Sequence, residues 1–133
     1  MRFFPRRADD RLARGQRAEQ LARQFLSAQG FVIEQANVRY PVGEIDLVAW
    51  DGQTLCFVEV RSTSSQRWGG PLASITDRKR RHLIQAARWH LQRLRQIPRD
   101  IRFDVVAVEW KAGDSPRVEL VRGAFTADEQ AGW

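Results

Sequence analysis

The chain has 133 residues, with 22 Lys and Arg against 16 Asp and Glu and a formal charge of +6; a chain this long makes one domain that buries about two-thirds of its unfolded surface in a single core. Its one cysteine, Cys56, excludes an intrachain disulfide and suits a reducing compartment, and no run is apolar enough for a signal peptide or a bilayer span, so a cytoplasmic protein without membrane contact is expected. The basic excess favours a polyanionic partner, although an arginine-rich proteome would produce the same balance.

Met1 to Ala8 reads as a basic arm broken by Pro5, either flexible or lying on a phosphate backbone. Asp9 or Asp10 can cap a helix that runs to about Gln29, where Gly30 stops it. Ala18, Leu21, Ala22, Phe25 and Leu26 form its core stripe. Glu19 falls on the edge of that stripe with Leu12, Gly15 and Leu26, either pointing into a cleft or pairing with Arg23 one turn on. Phe31 to Val38 is a first strand, and Pro41 and Gly43 turn the chain. Arg39 and Tyr40 sit at that turn, Arg39 binding phosphate or merely solvated.

Glu44–Trp50 and Thr54–Arg61 are strand-like runs flanking Asp51-Gly52, a hairpin signal because a type I′ turn needs positive φ. With Asp51-Gly52 as the loop, Trp50 opposes Gln53, Val48 opposes Leu55, Asp46 opposes Phe57 and Glu44 opposes Glu59. Asp46 is then diagonal to Glu59, and Arg61 follows Glu59 by two on the same face. Glu44, Asp46, Glu59 and Arg61 are thus expected to share one face. Opposed like charges destabilise a sheet and partly buried carboxylates resist ionising together, so a divalent cation would offset the arrangement. Hard oxygen ligands suit Mg²⁺ or Mn²⁺. The plain alternative is a set of solvated acids on an open face. The apolar neighbours Ile45, Leu47, Phe57, Val58 and Val60 imply a largely buried hairpin, which favours a site; Cys56 among them reads as a core residue.

Ser62 to Ser74 is a polar loop in which Trp68, beside Arg67, either stacks on an unpaired base or folds back on the core. Thr76 caps a second helix that ends before Pro98, with Leu83, Ile84, Ala87, Leu91 and Leu94 toward the sheet. Arg78, Lys79, Arg80 and Arg81 crowd its positive end, where an anion would relieve them. Of the basic residues, only Lys79 and Lys111 are lysine. His82 and His90 are isolated and carry no assigned role. Ile101 to Glu109 reads as a central strand, with Asp104 paired to Arg102 or to an arginine of the second helix. Gly113 to Pro116 is a turn, Arg117 to Val121 a last strand, and Thr126 to Trp133 a frayed tail.

Asp46, followed after a hairpin by Glu59-Val60-Arg61, resembles the signature of the PD-(D/E)XK nuclease superfamily, with arginine in the lysine place. The whole chain resembles the bacterial YraN-type proteins, which are similar to archaeal Holliday junction resolvases. Gly15, Glu19, Asn37, Arg39, the Gly43–Leu47 and Phe57–Val60 runs, Lys79-Arg80, Arg102–Val106 and Ala124-Phe125 carry that likeness. The resemblance implies an α/β, restriction-endonuclease-like αβββαβ core, its mixed central sheet flanked by helices. It implies metal-dependent hydrolysis of DNA, including branched DNA, and a homodimer. On this likeness Asp46, Glu59 and the Val60 carbonyl hold Mg²⁺ or Mn²⁺, Glu19 completes or orients the shell, and Glu44 and Arg61 join the catalytic group. Arg39, Arg67, Trp68, Arg78, Lys79, Arg80 and Arg81 would contact nucleic acid. Arg61 can clamp charge but can hardly deprotonate water. Two rivals stand beside the nuclease: a silent nucleic-acid-binding module and a protein-interaction adaptor.

Overall fold

Alternation along the strands sorts their apolar side chains onto two faces, and each face recruits one helix. The computed structural model describes residues 7–63, 75–111, 113 and 115–127. The elements run α1 Arg7–Ala28, β1 Val32–Tyr40, β2 Gly43–Asp51, β3 Thr54–Thr63, α2 Asp77–Gln92, β4 Asp100–Glu109 and β5 Arg117–Phe125. The strands form one mixed sheet in sequence order; β3 and β4 pair parallel and the other neighbours antiparallel. A parallel pair needs a crossover, which α2 supplies. Leu47, Ala49, Cys56, Val58, Val106 and Val108 meet Ala18, Ala22 and Leu26 of α1 on one face. Val48, Leu55, Phe57 and Phe103 meet Leu83, Ile84, Ala86 and Ala87 of α2 on the other. The product is the α/β restriction-endonuclease-like arrangement expected, with a fifth strand on its edge.

Three sequence expectations are corrected. Helix α1 begins at Arg7, so Asp9 and Asp10 lie inside its first turns rather than at its cap. The last strand continues past Val121 to Phe125, because Phe125 is buried and stacks on Phe103 at a ring distance of 5.1 Å. In the β2–β3 hairpin, Asp51 pairs with Thr54, Trp50 with Leu55 and Val48 with Phe57, so the loop is Gly52-Gln53. Gly52 has φ +61 and Gln53 is not left-handed, the pattern of a turn with glycine first. Asp51 pairs in the ladder, and Arg102 Nη2 binds its Oδ2 at 2.8 Å. The basic arm through Arg6, the loop residues Arg67 and Trp68, and the tail from Asp128 lie outside the described residues.

The sheet end near the hairpin turn is held by a satisfied charge network. Asp104 is fully buried; it accepts from Arg102 Nε at 2.8 Å and Nη2 at 2.9 Å, and from the Gly123 N–H at 2.9 Å. Gly123 has φ +62 at the irregularity where β5 slips against β4. Cys56 is buried nearby, and burial first, then Asp104, pushes its thiol up to about 12, which makes it an inert core residue. On the α2 face His90 is also buried, with Nδ1 2.8 Å from Tyr40 Oη and its ring edge-on to Phe57. Burial lowers its pKa, so it is a neutral packing residue at neutral pH. Among the described residues no helix is long and apolar enough to cross a membrane.

Removing Asp104 would strand the buried Arg102 contacts and the Gly123 N–H. Asp104→Ala is expected to cost about 3–5 kcal/mol in urea unfolding, and Asp104→Asn, which keeps an acceptor, less. Equal unfolding midpoints for wild type and Asp104→Ala would contradict this account of the bulge.

Candidate active site

The opposite end of the sheet opens. Ladder pairing of β2 with β3 ends at Leu47 and Val58, and beyond it the Val60 N–H donates to Asp46 Oδ2 at 2.8 Å. A side chain thus takes the place of a strand partner. The face of the sheet changes hands at the same point: Ala36 and Leu47 pack toward α1, whereas their strand neighbours two residues away, Val38 and Ile45, pack toward α2. Strict alternation would keep residues two apart on one face, so the backbone must twist between them. Asn37 supplies the twist in β1 with φ +54, a left-handed conformation that asparagine tolerates better than most residues. Asp46 sits at the matching place in β2, between Ile45 and Leu47.

At this crossover lies a cleft of about 530 Å³ between α1 and the first three strands, lined by Gly15 and Glu19 of α1, Asn37 and Arg39 of β1, Glu44 and Asp46 of β2, and Val60 and Ser62 of β3. Glu19 takes the cleft orientation and accepts from Asn37 Nδ2 at 2.7 Å. Gly15 is mid-helix, yet a Cβ there would meet nothing within 4 Å, so packing does not demand glycine. Glu44 is exposed, with Arg39 Nε 3.6 Å away.

Glu59 departs from the expected single face. It is in phase with Leu55 and Phe57, which pack toward α2. Its side chain is 12% exposed, and its Oε1 lies 3.0 Å from Lys79 Nζ and 3.8 Å from Arg61 Nη1. Glu59 and Arg61 therefore share one phase, while Glu44 and Asp46 share the α1-side cleft. The reason is the crossover at Asp46, invisible to a count by twos. The two groups still feel each other. Burial, then the charge of Glu59, raises Asp46 from the ordinary carboxylate range to about 7; Glu44 and Glu19 add to the rise, and the Val60 N–H opposes it.

The other basic candidates divide. Arg78, Lys79 and Arg81 are exposed on α2, but Arg80 lies over the Phe125 ring at 5.5 Å with its Nε buried. Arg80 is a packing residue of the α2 face. Sequence reasoning gave no role to Asn37; a residue well suited to left-handed backbone inside a strand was the available signal. Nor did it pair Lys79 with Glu59, which needs the packing of α2 on the sheet.

Among the described residues no group of three or more His, Cys, Asp or Glu side chains is poised to hold a metal ion. The donor chemistry nevertheless fits a small hard divalent cation, because Mg²⁺ takes one or two carboxylates and keeps several waters. Asp46 is a partly buried carboxylate raised by three others, the electrostatic situation a cation reverses. Asp46, Glu19 and Val60 line the cleft where it would sit; Glu59, the other carboxylate that the resemblance assigns to it, lies outside that lining.

Residues 18–108 match the model of UPF0102, an uncharacterised protein family. A UPF0102 protein of Desulfosudis oleivorans is 44% identical over 114 residues, 86% of this chain and 90% of the relative. One from Anaeromyxobacter is 43% identical over 125 residues, 94% and 93% of the two chains. One from Pseudomonas aeruginosa is 45% identical over 116 residues, 86% and 93%.

The raised pKa of Asp46 has a signed consequence. Between pH about 4 and about 7 the folded state holds a proton that the unfolded chain has released, so stability falls as pH rises through that window and levels above it. Asp46→Asn removes this penalty. The variant is expected to be more stable than wild type by a few kcal/mol at pH about 8, with the gap closing toward pH about 4. Urea titrations at both pH values check it; a variant less stable than wild type at the higher pH would contradict the assignment.

Proposed function

The chain belongs to the uncharacterised protein family UPF0102, the PD-(D/E)XK-like YraN family, and from that membership and the geometry of its cleft we propose that it binds DNA, branched DNA included, and hydrolyses phosphodiester bonds with a divalent cation. The observation that carries the reading is Asp46, held by the Val60 N–H where β2 and β3 part and raised to about 7 among Glu59, Glu44 and Glu19. A structural carboxylate in a sheet is ordinarily neutralised, as Asp104 is at the other end. One left beside three like charges in a cleft is spending stability on chemistry.

When bound, Mg²⁺ or Mn²⁺ supplies Lewis acidity toward a phosphoryl oxygen and a water of lowered pKa. The chain's own groups do the rest. Asn37 fixes Glu19 at the cleft rim. Arg61, on the strand beside Glu59, offers the two parallel donors of a guanidinium to phosphate oxygens, so it serves as a clamp for developing charge rather than as a base. Arg39, exposed at the cleft mouth, and Arg78 and Arg81 on α2 add sequence-independent attraction for a phosphate backbone.

A second reading is favoured by one observation. Glu59 already carries Lys79 and Arg61 on the same oxygen, so the site holds cations of its own and suits a binding module that has lost turnover.

The experiment is cleavage of linear, flapped and four-way DNA with Mg²⁺ or Mn²⁺, wild type beside Asp46→Asn. Metal-dependent cleavage that falls at least about a hundredfold in Asp46→Asn is expected, because a neutral amide is a far poorer ligand than a carboxylate. Cleavage that survives the substitution overturns the metal mechanism. Wild-type binding without cleavage in either metal selects the binding module, and retention of DNA that is insensitive to salt overturns both in favour of an adaptor.

A further inference from the structure

Lys79 is an exception in its own chain. Two of the 22 basic residues are lysine, and this one stands between Arg78 and the pair Arg80-Arg81. It also occupies an unfavourable place for a cation. Thr76 caps α2 and accepts the Lys79 N–H at 3.1 Å, so Lys79 is in the first turn, at the positive end of the helix dipole. What holds its head is Glu59, whose Oε1 is 3.0 Å from Nζ. Lys79 is half exposed whereas Glu59 is nearly covered, so the ammonium is the partner able to leave. Its compact head on four carbons swivels to a new acceptor, where a guanidinium would be committed to a planar fork.

The occupied oxygen belongs to one of the two carboxylates assigned to the cation site. An ammonium 3.0 Å away repels a divalent ion from it, and a phosphate brought beside Glu59 competes for that same ammonium. We propose that Lys79 is a positioning residue that transfers from Glu59 to a phosphate oxygen of bound nucleic acid, so that phosphate binding frees Glu59 for the divalent cation and the two ligands bind cooperatively. This rests on the nucleic-acid reading above and adds a coupling to it. Coupling is reciprocal: duplex tightens the cation and the cation tightens duplex by one factor. Arg61, 3.8 Å from the same oxygen, keeps Glu59 partly compensated when Lys79 leaves.

The test titrates Mn²⁺ calorimetrically into the full chain, free and saturated with a short phosphorothioate duplex that resists cleavage, for wild type, Lys79→Met and Lys79→Arg. In wild type the duplex should tighten Mn²⁺ by at least about fivefold. Without duplex, Lys79→Met should bind Mn²⁺ at least about fivefold tighter than wild type, since the nearer of the two competing charges is gone, and duplex should then change that affinity little. Lys79→Met should also lower the salt slope of duplex binding by about one. Lys79→Arg should keep the weak free-state Mn²⁺ affinity, a control independent of any folding defect in the methionine variant. If Lys79 only props Glu59, Lys79→Met will leave Mn²⁺ affinity unchanged or weaken it, and the proposal is overturned. A wild type that binds both ligands with a coupling that Lys79→Met preserves overturns this inference alone; a wild type that retains no duplex overturns the nucleic-acid reading with it.

Discussion

The bond from the Val60 N–H to Asp46 is the constraint on which the rest of the site depends. A strand N–H facing a missing neighbour must find an acceptor, since an orphaned backbone donor is costly. Asp46 provides one only because the chain twists at Asn37 and at Asp46 itself, carrying the carboxylate off the regular alternation. That twist ends the β2–β3 ladder and opens the cleft beneath α1. It also partly buries a carboxylate beside three others and raises its pKa. Backbone satisfaction and unusual acidity are two results of one local distortion.

The two ends of the β2–β4 region show what the same residue type does in different company. Asp104 is more deeply buried than Asp46, yet Arg102 binds it through two nitrogens and the Gly123 N–H adds a third donor. Arg102 also reaches Asp51, and Arg122 approaches the same Asp51 oxygen at 3.5 Å, so four charged groups compensate one another. Such a network specifies a fold; each member has its partners. Asp46 has one backbone donor and three like charges. The contrast separates scaffold from site more sharply than burial does.

Much of this was legible in the residues. The apolar spacing of Ala18, Ala22 and Leu26 placed α1, that of Leu83, Ile84 and Ala87 placed α2, and the Asp51-Gly52 pair marked the hairpin. The GEID and FVEV runs pointed to the end of the sheet where the cleft lies. What was not legible depends on contacts distant in sequence. In the hairpin register observed, Asp51 joins the ladder with its side chain held by Arg102, fifty-one positions away. The phase of Glu59 against Asp46 is set by a twist that a period of two cannot express. The partner of Glu59 comes from the next helix, and an arginine-rich run gives no sign of which member reaches the sheet. Arg80, alike in sequence, turns to Phe125 instead.

Glycine inside a helix costs about 1 kcal/mol relative to alanine, and at Gly15 no neighbour repays it. The segment of α1 above Asp46 is for that reason the soft part of its own roof. Ala18, Ala22 and Leu26 anchor the helix further along, so unwinding from the N-terminal side can pass Gly15 without disturbing the core. Each such opening rehydrates Asp46 and drops its pKa toward that of an ordinary acid. The charge on the carboxylate and the docking of the helix end are therefore a single equilibrium: proton loss at Asp46 favours the raised roof, and amide exchange along the first turns of α1 should quicken with rising pH by more than base catalysis alone provides.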